Sequence, residues 1–269
     1  ACVLYGNFNT TWSANATKTG ILTGTQDSFV INLTNSTYIW NVQCNDTLGN
    51  SAYNASNFTF SIDTILPTIT LNAPIDNFNT SGTLNNISFN WTAFDNLDKG
   101  LRCNLTINST VNISYFESVN GTMANVTVSG FNAGSYKWNV TCMDNSSNVN
   151  TSASNVFTVD NLGPAVNLDT TNDTWQRDGN ITLKFTATDA RGIGACTLYG
   201  NFGGTWIANL TKTGITSGTQ DSFVVNVLNG NNTYLWNVNC SDTVGNAAYN
   251  ATNFTFTIDT FVPSITLNR

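Results

Sequence analysis

One pattern occurs three times in this chain and limits what it can fold into. Tyr136, Trp138, Val140, Cys142 and Asp144 stand two residues apart. Tyr38, Trp40, Val42, Cys44 and Asp46 repeat the spacing, as do Tyr234, Trp236, Val238, Cys240 and Asp242. Residues two apart on a strand share a face. The pattern therefore predicts strands whose Tyr, Trp, Val and Cys point into a core, while Lys137, Asn139 and Thr141 point out. Each copy runs into a turn rich in Asp, Asn, Gly or Ser, such as Asp242-Thr243-Val244-Gly245-Asn246, and then into a second alternating stretch. This is the signature of a β-hairpin at the centre of a sandwich, three times over.

The repetition extends further. Ala1-Cys2-Val3-Leu4-Tyr5-Gly6-Asn7-Phe8 returns as Ala195-Cys196-Thr197-Leu198-Tyr199-Gly200-Asn201-Phe202, a spacing of about 195 residues. The match continues through Thr25-Gln26-Asp27-Ser28-Phe29 and Thr219-Gln220-Asp221-Ser222-Phe223, and ends at Asn57-Phe58-Thr59-Phe60 and Asn253-Phe254-Thr255-Phe256. The block between shares only the core pattern. Ile65-Leu66-Pro67-Thr68-Ile69-Thr70-Leu71-Asn72 is echoed at Phe261-Val262-Pro263-Ser264-Ile265-Thr266-Leu267-Asn268. Two domain types thus alternate. The expected boundaries are 1–64, a domain lacking its first strands; 65–160, a complete domain; 161–260, a complete domain of the first type; and 261–269, the first strand of another. Ragged ends of this kind fit a window of a longer array. Strand exchange between copies is the alternative.

Within 65–160 the expected strands are Thr68–Asn72, Ile87–Phe94, a stretch carrying Cys103, Leu105 and Ile107, then Asn125–Val128, the pattern strand, and Asn155–Val159. A variable segment lies near 110–120. Short strands at this density, with turn signals between them and no helical periodicity, predict an all-β fold of tandem immunoglobulin-like antiparallel sandwiches.

Six cysteines allow 15 pairings, and the repeats reduce these to one bridge per domain: Cys2–Cys44, Cys103–Cys142 and Cys196–Cys240. Each closes a loop of about 40 residues, worth roughly 4 kcal/mol in the chain-entropy model. Such bridges belong to an oxidising compartment. Zinc is the rival reading of paired cysteines, but there is no histidine and no CxxC. Charged residues are 9% of the chain and the net charge is −7, a surface unsuited to nucleic acid or anionic membranes. No apolar run is long enough to span a bilayer.

Thr186-Ala187-Thr188-Asp189 with Gly192-Ile193, the Trp-Asn-Val-x-Cys-x-Asp strand, Gly245-Asn246, and Ile258-Asp259-Thr260 before Pro263 together resemble the tandem immunoglobulin-like repeats of prokaryotic cell-surface proteins. The Asn/Thr-rich, cysteine-bridged form is most similar to archaeal ones. The resemblance covers the whole chain. It implies stalks, adhesins or surface-layer elements and carries no catalytic motif.

Three features bear on function. The chain holds 25 Asn-x-Ser/Thr triplets, more than chance placement gives. A strand face built of Asn and Thr generates such triplets by itself, yet a charge-poor face also needs protection that glycans supply. Asn90, Asn104, Asn125, Asn139, Asn209 and Asn250 are the expected N-glycan acceptors. Second, the topology is expected to gather acids at the domain junctions, Asp63 with Asp95, Asp98 and Asp144, and Asp160 with Asp189 and Asp242. Clustered carboxylates suit calcium, while Asp in turns also bonds its own backbone. Third, Trp40, Trp138 and Trp236 are expected in the core. Trp12 and Trp206, beside Tyr5 and Tyr199, are either packed or free to bind sugar or a neighbouring chain. No nucleophile–base arrangement or phosphate loop is visible, so no enzyme is expected. The expected role is an extracellular, glycosylated stalk, filament or surface-layer element associating with copies of itself. The alternative is an adhesin for a carbohydrate or protein.

Overall fold

The structure is a computed structural model and describes residues 1–82, 86–227 and 231–267. The first repeat contributes β1 (Cys2–Gly6), β2 (Ser13–Lys18), β3 (Ser36–Asn45), β4 (Ser51–Tyr53) and β5 (Phe58–Ile62). Then come β6 (Thr68–Ala73), β7 (Phe78–Ser81), β8 (Asn86–Phe94), β9 (Gly100–Ile107), β10 (Thr110–Val119), β11 (Met123–Ser129), β12 (Gly134–Met143), β13 (Val149–Thr151) and β14 (Asn155–Asp160). The last part holds β15 (Ala165–Leu168), β16 (Thr174–Gln176), β17 (Asn180–Thr188), β18 (Ile193–Gly200), β19 (Ile207–Thr213), β20 (Gln220–Asn226), β21 (Asn232–Asp242), β22 (Ala247–Tyr249) and β23 (Phe254–Ile258). The described residues contain no helix, and the fold is all-β.

The chain packs as two compact units. One comprises Ala1–Asp76, Ile87–Val128 and Tyr136–Val156; the other Asn77–Asn86, Ser129–Ser135 and Phe157–Arg269. In each, the thrice-repeated pattern forms long strands, β3 and β12 in the first and β21 in the second. These strands are central because both edges are used. On one edge β3 pairs with β1 and β21 with β18. On the other, the first half of β3 pairs with β5 and the second half with β4; β21 uses β23 and β22 in the same way.

At the point where β21 changes partner stands Asn237, and in β3 Asn41. The alternation predicts an outward polar residue there. Both are instead buried. Asn237 Nδ2 donates to Asn250 O at 3.0 Å and Asn253 Oδ1 at 2.8 Å, and its Oδ1 accepts from Val238 N at 2.7 Å. Asn41 makes the matching bonds to Asn54, Asn57 and Val42. The amide fills the gap between two short strands, and a buried amide requires such partners.

The strand faces explain the core. On β17, Ile181, Leu183, Phe185 and Ala187 are buried, while Thr182, Lys184 and Thr188 are exposed. The sheet β15-β17-β20 lays that face over β18, β21 and β23, enclosing Leu198, Trp236, Val238 and Phe256. In the other unit, β11-β8-β6 brings Phe89 edge-to-face against Trp138 of β12, with ring centres 5.0 Å apart. Burying a side chain of this size contributes about 1.5–3 kcal/mol.

Four elements depart from the sequence expectation. The variable segment is the strand β10, a hairpin partner of β9 whose register slips between Val111 and Ile113 and again between Ile113 and Phe116. These bulges destroy the two-residue period by which a strand is recognised. The short strands β7 and β16 pair in parallel with β14 and β23. They are too brief to show alternation. Residues 261–267 form no strand, and Phe261, Val262, Ile265 and Leu267 are exposed; Asn268 and Arg269 of that expected strand lie outside the described residues. In the elements this tail echoes, pairing comes from a later strand of the same block, as β8 serves β6 and β17 serves β15.

Candidate functional site

Three disulfides close, Cys2–Cys44, Cys103–Cys142 and Cys196–Cys240, and no free cysteine remains among the described residues. In each, the two cysteines face one another directly across neighbouring strands, β1 with β3, β9 with β12, and β18 with β21. The bridge lies within one sheet. Its position follows from the pattern strand always receiving the strand that carries the other cysteine.

The acids at the two junctions converge. One carboxylate oxygen each from Asp63, Asp95, Asp98 and Asp144 fall within 4.8 Å of one another, and likewise Asp160, Asp189 and Asp242. Asp63 follows β5, Asp95 and Asp98 occupy the β8–β9 turn, and Asp144 begins the β12–β13 turn. Asp95 and Asp144 also serve their own turns, and Asp98 ties its turn to the neighbouring one. Asp95 Oδ1 accepts from Leu97 N at 2.9 Å and Asp98 N at 3.1 Å. Asp98 takes the backbone and side-chain N–H groups of Asn145 at 2.7 and 2.8 Å. Asp144 does the same for Asn148, at 2.8 and 2.7 Å. The turn reading and the clustering thus hold together. What the turns leave over is Oδ2 of Asp63 and Oδ2 of Asp95, both buried and without a hydrogen bond.

The second group repeats the turn bonds but not the remainder. Asp242 clamps Asn246 through N–H and Nδ2 at 2.9 and 2.8 Å, and Asp189 Oδ1 accepts from Arg191 N at 2.6 Å. Arg191 then reaches over, its Nε 3.9 Å from Asp160 Oδ2. Among the described residues this group leaves no carboxylate oxygen both buried and unbonded. Asn148 and Asn246 have a further task. Their Nδ2 atoms donate to the carbonyls of Asp63 and Asp160, at 3.2 and 3.0 Å. The turns after β12 and β21 therefore hold the backbone at the ends of β5 and β14. The sequence reading missed this pair and Arg191. The signal was present: Asp98 and Arg191 both stand five residues before a bridged cysteine.

The six expected glycan acceptors lie on strands or just beyond them. Asn125 is exposed and the other five are half-buried. The amide nitrogen, to which sugar would attach, distinguishes them. Asn104 engages only Oδ1, accepting from Tyr115 N at 2.8 Å on the bulged β10. Asn209 Nδ2 donates to Gly200 O and Ile207 O, Asn250 Nδ2 to Thr252 O, and Asn139 Nδ2 to Ser154 Oγ. Asn125 Nδ2 donates to Asn90 Oδ1 across β11 and β8, so Asn90, like Asn104, engages only its oxygen.

Trp138 and Trp236 are buried, as the alternation requires, while Trp40 is half-buried. Trp12 and Trp206 are 44% and 40% exposed and stack on Tyr5 and Tyr199. Each tyrosine meets a second one edge-on, Tyr53 or Tyr249, at 5.2 Å. Burial and the neighbouring Tyr5 and Tyr199 hydroxyls raise the Tyr53 and Tyr249 hydroxyls above their ordinary value. Both exposed trios are built alike on the first and third repeats. At the corresponding places the middle block has Thr106 and Thr151.

No helix among the described residues is long and apolar enough to cross a membrane. No family model matches the chain, and no curated protein sequence does. Solved structures are similar in fold. A 1.5-MDa bacterial ice-binding adhesin, from work on host cell surface retention, is 19% identical over 96% of this chain and 84% of that one, with a TM-score of 0.44. Domains A168–A170 of titin are 13% identical over 95% and 86%, with a TM-score of 0.43. A tetra-tandem repeat from the extending region of a large adhesion protein is 16% identical over 96% and 66%, with a TM-score of 0.35.

Proposed function

We propose that the chain is a mechanical spacer of an extracellular surface, a stalk, filament or surface-layer element. Its blocks would be 1–64, 65–160, 161–260 and the start of another at 261–269. The observation that carries this is the repeated junction clamp joined to the repeated bridge. Each block is cross-linked inside its own sheet, and the end of the preceding block is gripped by a turn asparagine. At the first junction Asn150 Nδ2 also donates to Pro67 O at 2.8 Å. At the second, a Cβ on Gly163 would stand 2.8 Å from the carbonyl carbon of Ala247, so the connection runs in backbone contact. Connections held this closely resist swivelling, unlike Gly/Ser tethers. The disulfides argue for an oxidising, extracellular setting. The Asn/Thr faces are read as glycan-bearing, with Asn90 and Asn104 the best-presented acceptors. Archaeal cell surfaces are the setting that the repeat pattern most resembles. Electron microscopy of native material tests the reading. Threads or a lattice of unbranched units are expected, and compact particles without extension would sink it.

The duplicated aromatic trios favour a second reading, an adhesin. Stacked, exposed Trp and Tyr faces suit the apolar face of a sugar ring. Trp206→Ala should then weaken retention on a polysaccharide matrix, and an unchanged elution would leave the spacer reading alone.

A further inference from the structure

We infer that the first junction binds one calcium ion and that the second carries a built-in replacement for it, the guanidinium of Arg191. The inference does not depend on the spacer reading. Two observations carry it beyond the mere clustering of acids. First, Asp95 is 2% exposed, and its Oδ2 has no hydrogen bond, as has the buried Oδ2 of Asp63. A buried anionic oxygen without a donor costs several kcal/mol and is kept where a cation meets it. No lysine or arginine forms an ion pair with this group among the described residues. Second, the sister junction shows where the cation goes.

Asp98 and Arg191 lie in corresponding turns, β8–β9 and β17–β18, with a bulge between Ile193 and Ala195 offsetting the residue count in the second. They also touch the same neighbour. Asp98 accepts from Asn145, and the carbonyl of Arg191 accepts from Thr243 Oγ1 at 2.8 Å, each partner standing three residues after its bridged cysteine. Where the second junction places a positive charge facing Asp160, the first places a fourth carboxylate. The exchange alters local charge by two. The second junction sets one guanidinium against three carboxylates, and the first sets four carboxylates with no cation of their own among the described residues; one divalent ion would bring the first to the same net charge as the second.

The donor set selects the ion. Four carboxylates offer only oxygen, from several loops in no fixed octahedron, which suits calcium at six to eight ligands with water completing the shell. There is no histidine in the chain and no free thiol among the described residues for zinc or copper. Open extracellular sites of this kind bind in the range of about 10⁻⁴–10⁻³ M.

The full chain is titrated with calcium chloride by calorimetry and by thermal melting, alongside Asp95→Asn, Asp98→Arg, Asp189→Asn and Arg191→Asp. One calcium per chain is expected for the wild type, with a melting temperature raised by about a few degrees at saturation. Asp95→Asn keeps the Oδ1 that holds its turn and should weaken binding about tenfold or more. Asp98→Arg imports the sister junction's cation; it should abolish binding while leaving the calcium-free melting temperature unchanged or raised. Asp189→Asn should leave calcium affinity unaltered, and Arg191→Asp should add a second ion. Absence of heat and of any melting shift at 10-fold above this range overturns the inference. So do two equivalent ions in the wild type, or equal losses in Asp95→Asn and Asp189→Asn.

Discussion

Residues 1–62 and 195–258 carry nearly the same sequence yet differ in how far their cores are closed. In the later copy Gln220–Asn226 is the strand β20, paired along its length with β17 from Asn180↔Asn226 to Thr186↔Gln220. In the earlier copy the matching stretch, from Gln26 to Asn32, is not a strand. Among the described residues it has no strand partner. The local chemistry survives all the same. Lys18 bonds Asp27 in one copy as Lys212 bonds Asp221 in the other. The core surface survives too, but open: an apolar groove of about 590 Å³ is lined by Leu4, Phe29, Trp40, Val42 and Phe60 among others. The lesson is that this stretch is a strand by virtue of its partner, and its own alternation is not sufficient.

The comparison is broken most sharply at the tryptophans. Trp236→Ala should destabilise its repeat by about 3–5 kcal/mol, since the ring is enclosed on both sides. Trp40→Ala should cost distinctly less, because the half-buried ring forfeits fewer contacts. Hydrogen exchange on each copy under increasing denaturant separates the two. At the buried amides the copies should instead agree. Asn237→Ala and Asn41→Ala each leave the same donors and acceptors unpaired, for about 1–3 kcal/mol, and a large inequality between them would show that the unpaired stretch matters beyond the groove. The smallest effect is one of pH. Burial pushes the Asp221 carboxyl up, but the Lys212 and Ser222 bonds outweigh it and hold the group below its ordinary 3.8. Asp27 is lowered chiefly by Lys18. The unfolded chain then takes up these protons first, so the stabilisation is full above pH 3.8 and is lost below it, as pH falls through the lower folded values. Melting temperature between pH 6 and pH 3 should fall less in Lys212→Met than in the wild type.

Most of the core could be read from the chain because its strands keep strict alternation. Ile87, Phe89, Trp91 and Ala93 announce β8, and the thrice-repeated pattern announces β3, β12 and β21. The junction acids were legible because strand-end turns of a sandwich gather at one end. What alternation could not reveal has a common physical character. The bulged β10 breaks the period at Ile113, β7 and β16 are short, and Asn41 and Asn237 are polar residues whose burial depends on loops 13 to 16 residues away. The role of Arg191 was hidden for another reason. A single positive charge in a turn gains meaning only when the sister turn is laid beside it.

Stretching single molecules from end to end, with and without reductant, tests the central claim of a load-resisting chain most directly. The bridges span 42, 39 and 44 residues. While they are closed, those residues are shielded from force, and each unfolding step should lengthen when its bridge is reduced by roughly 130–160 Å. Steps of equal length under both conditions would contradict the account.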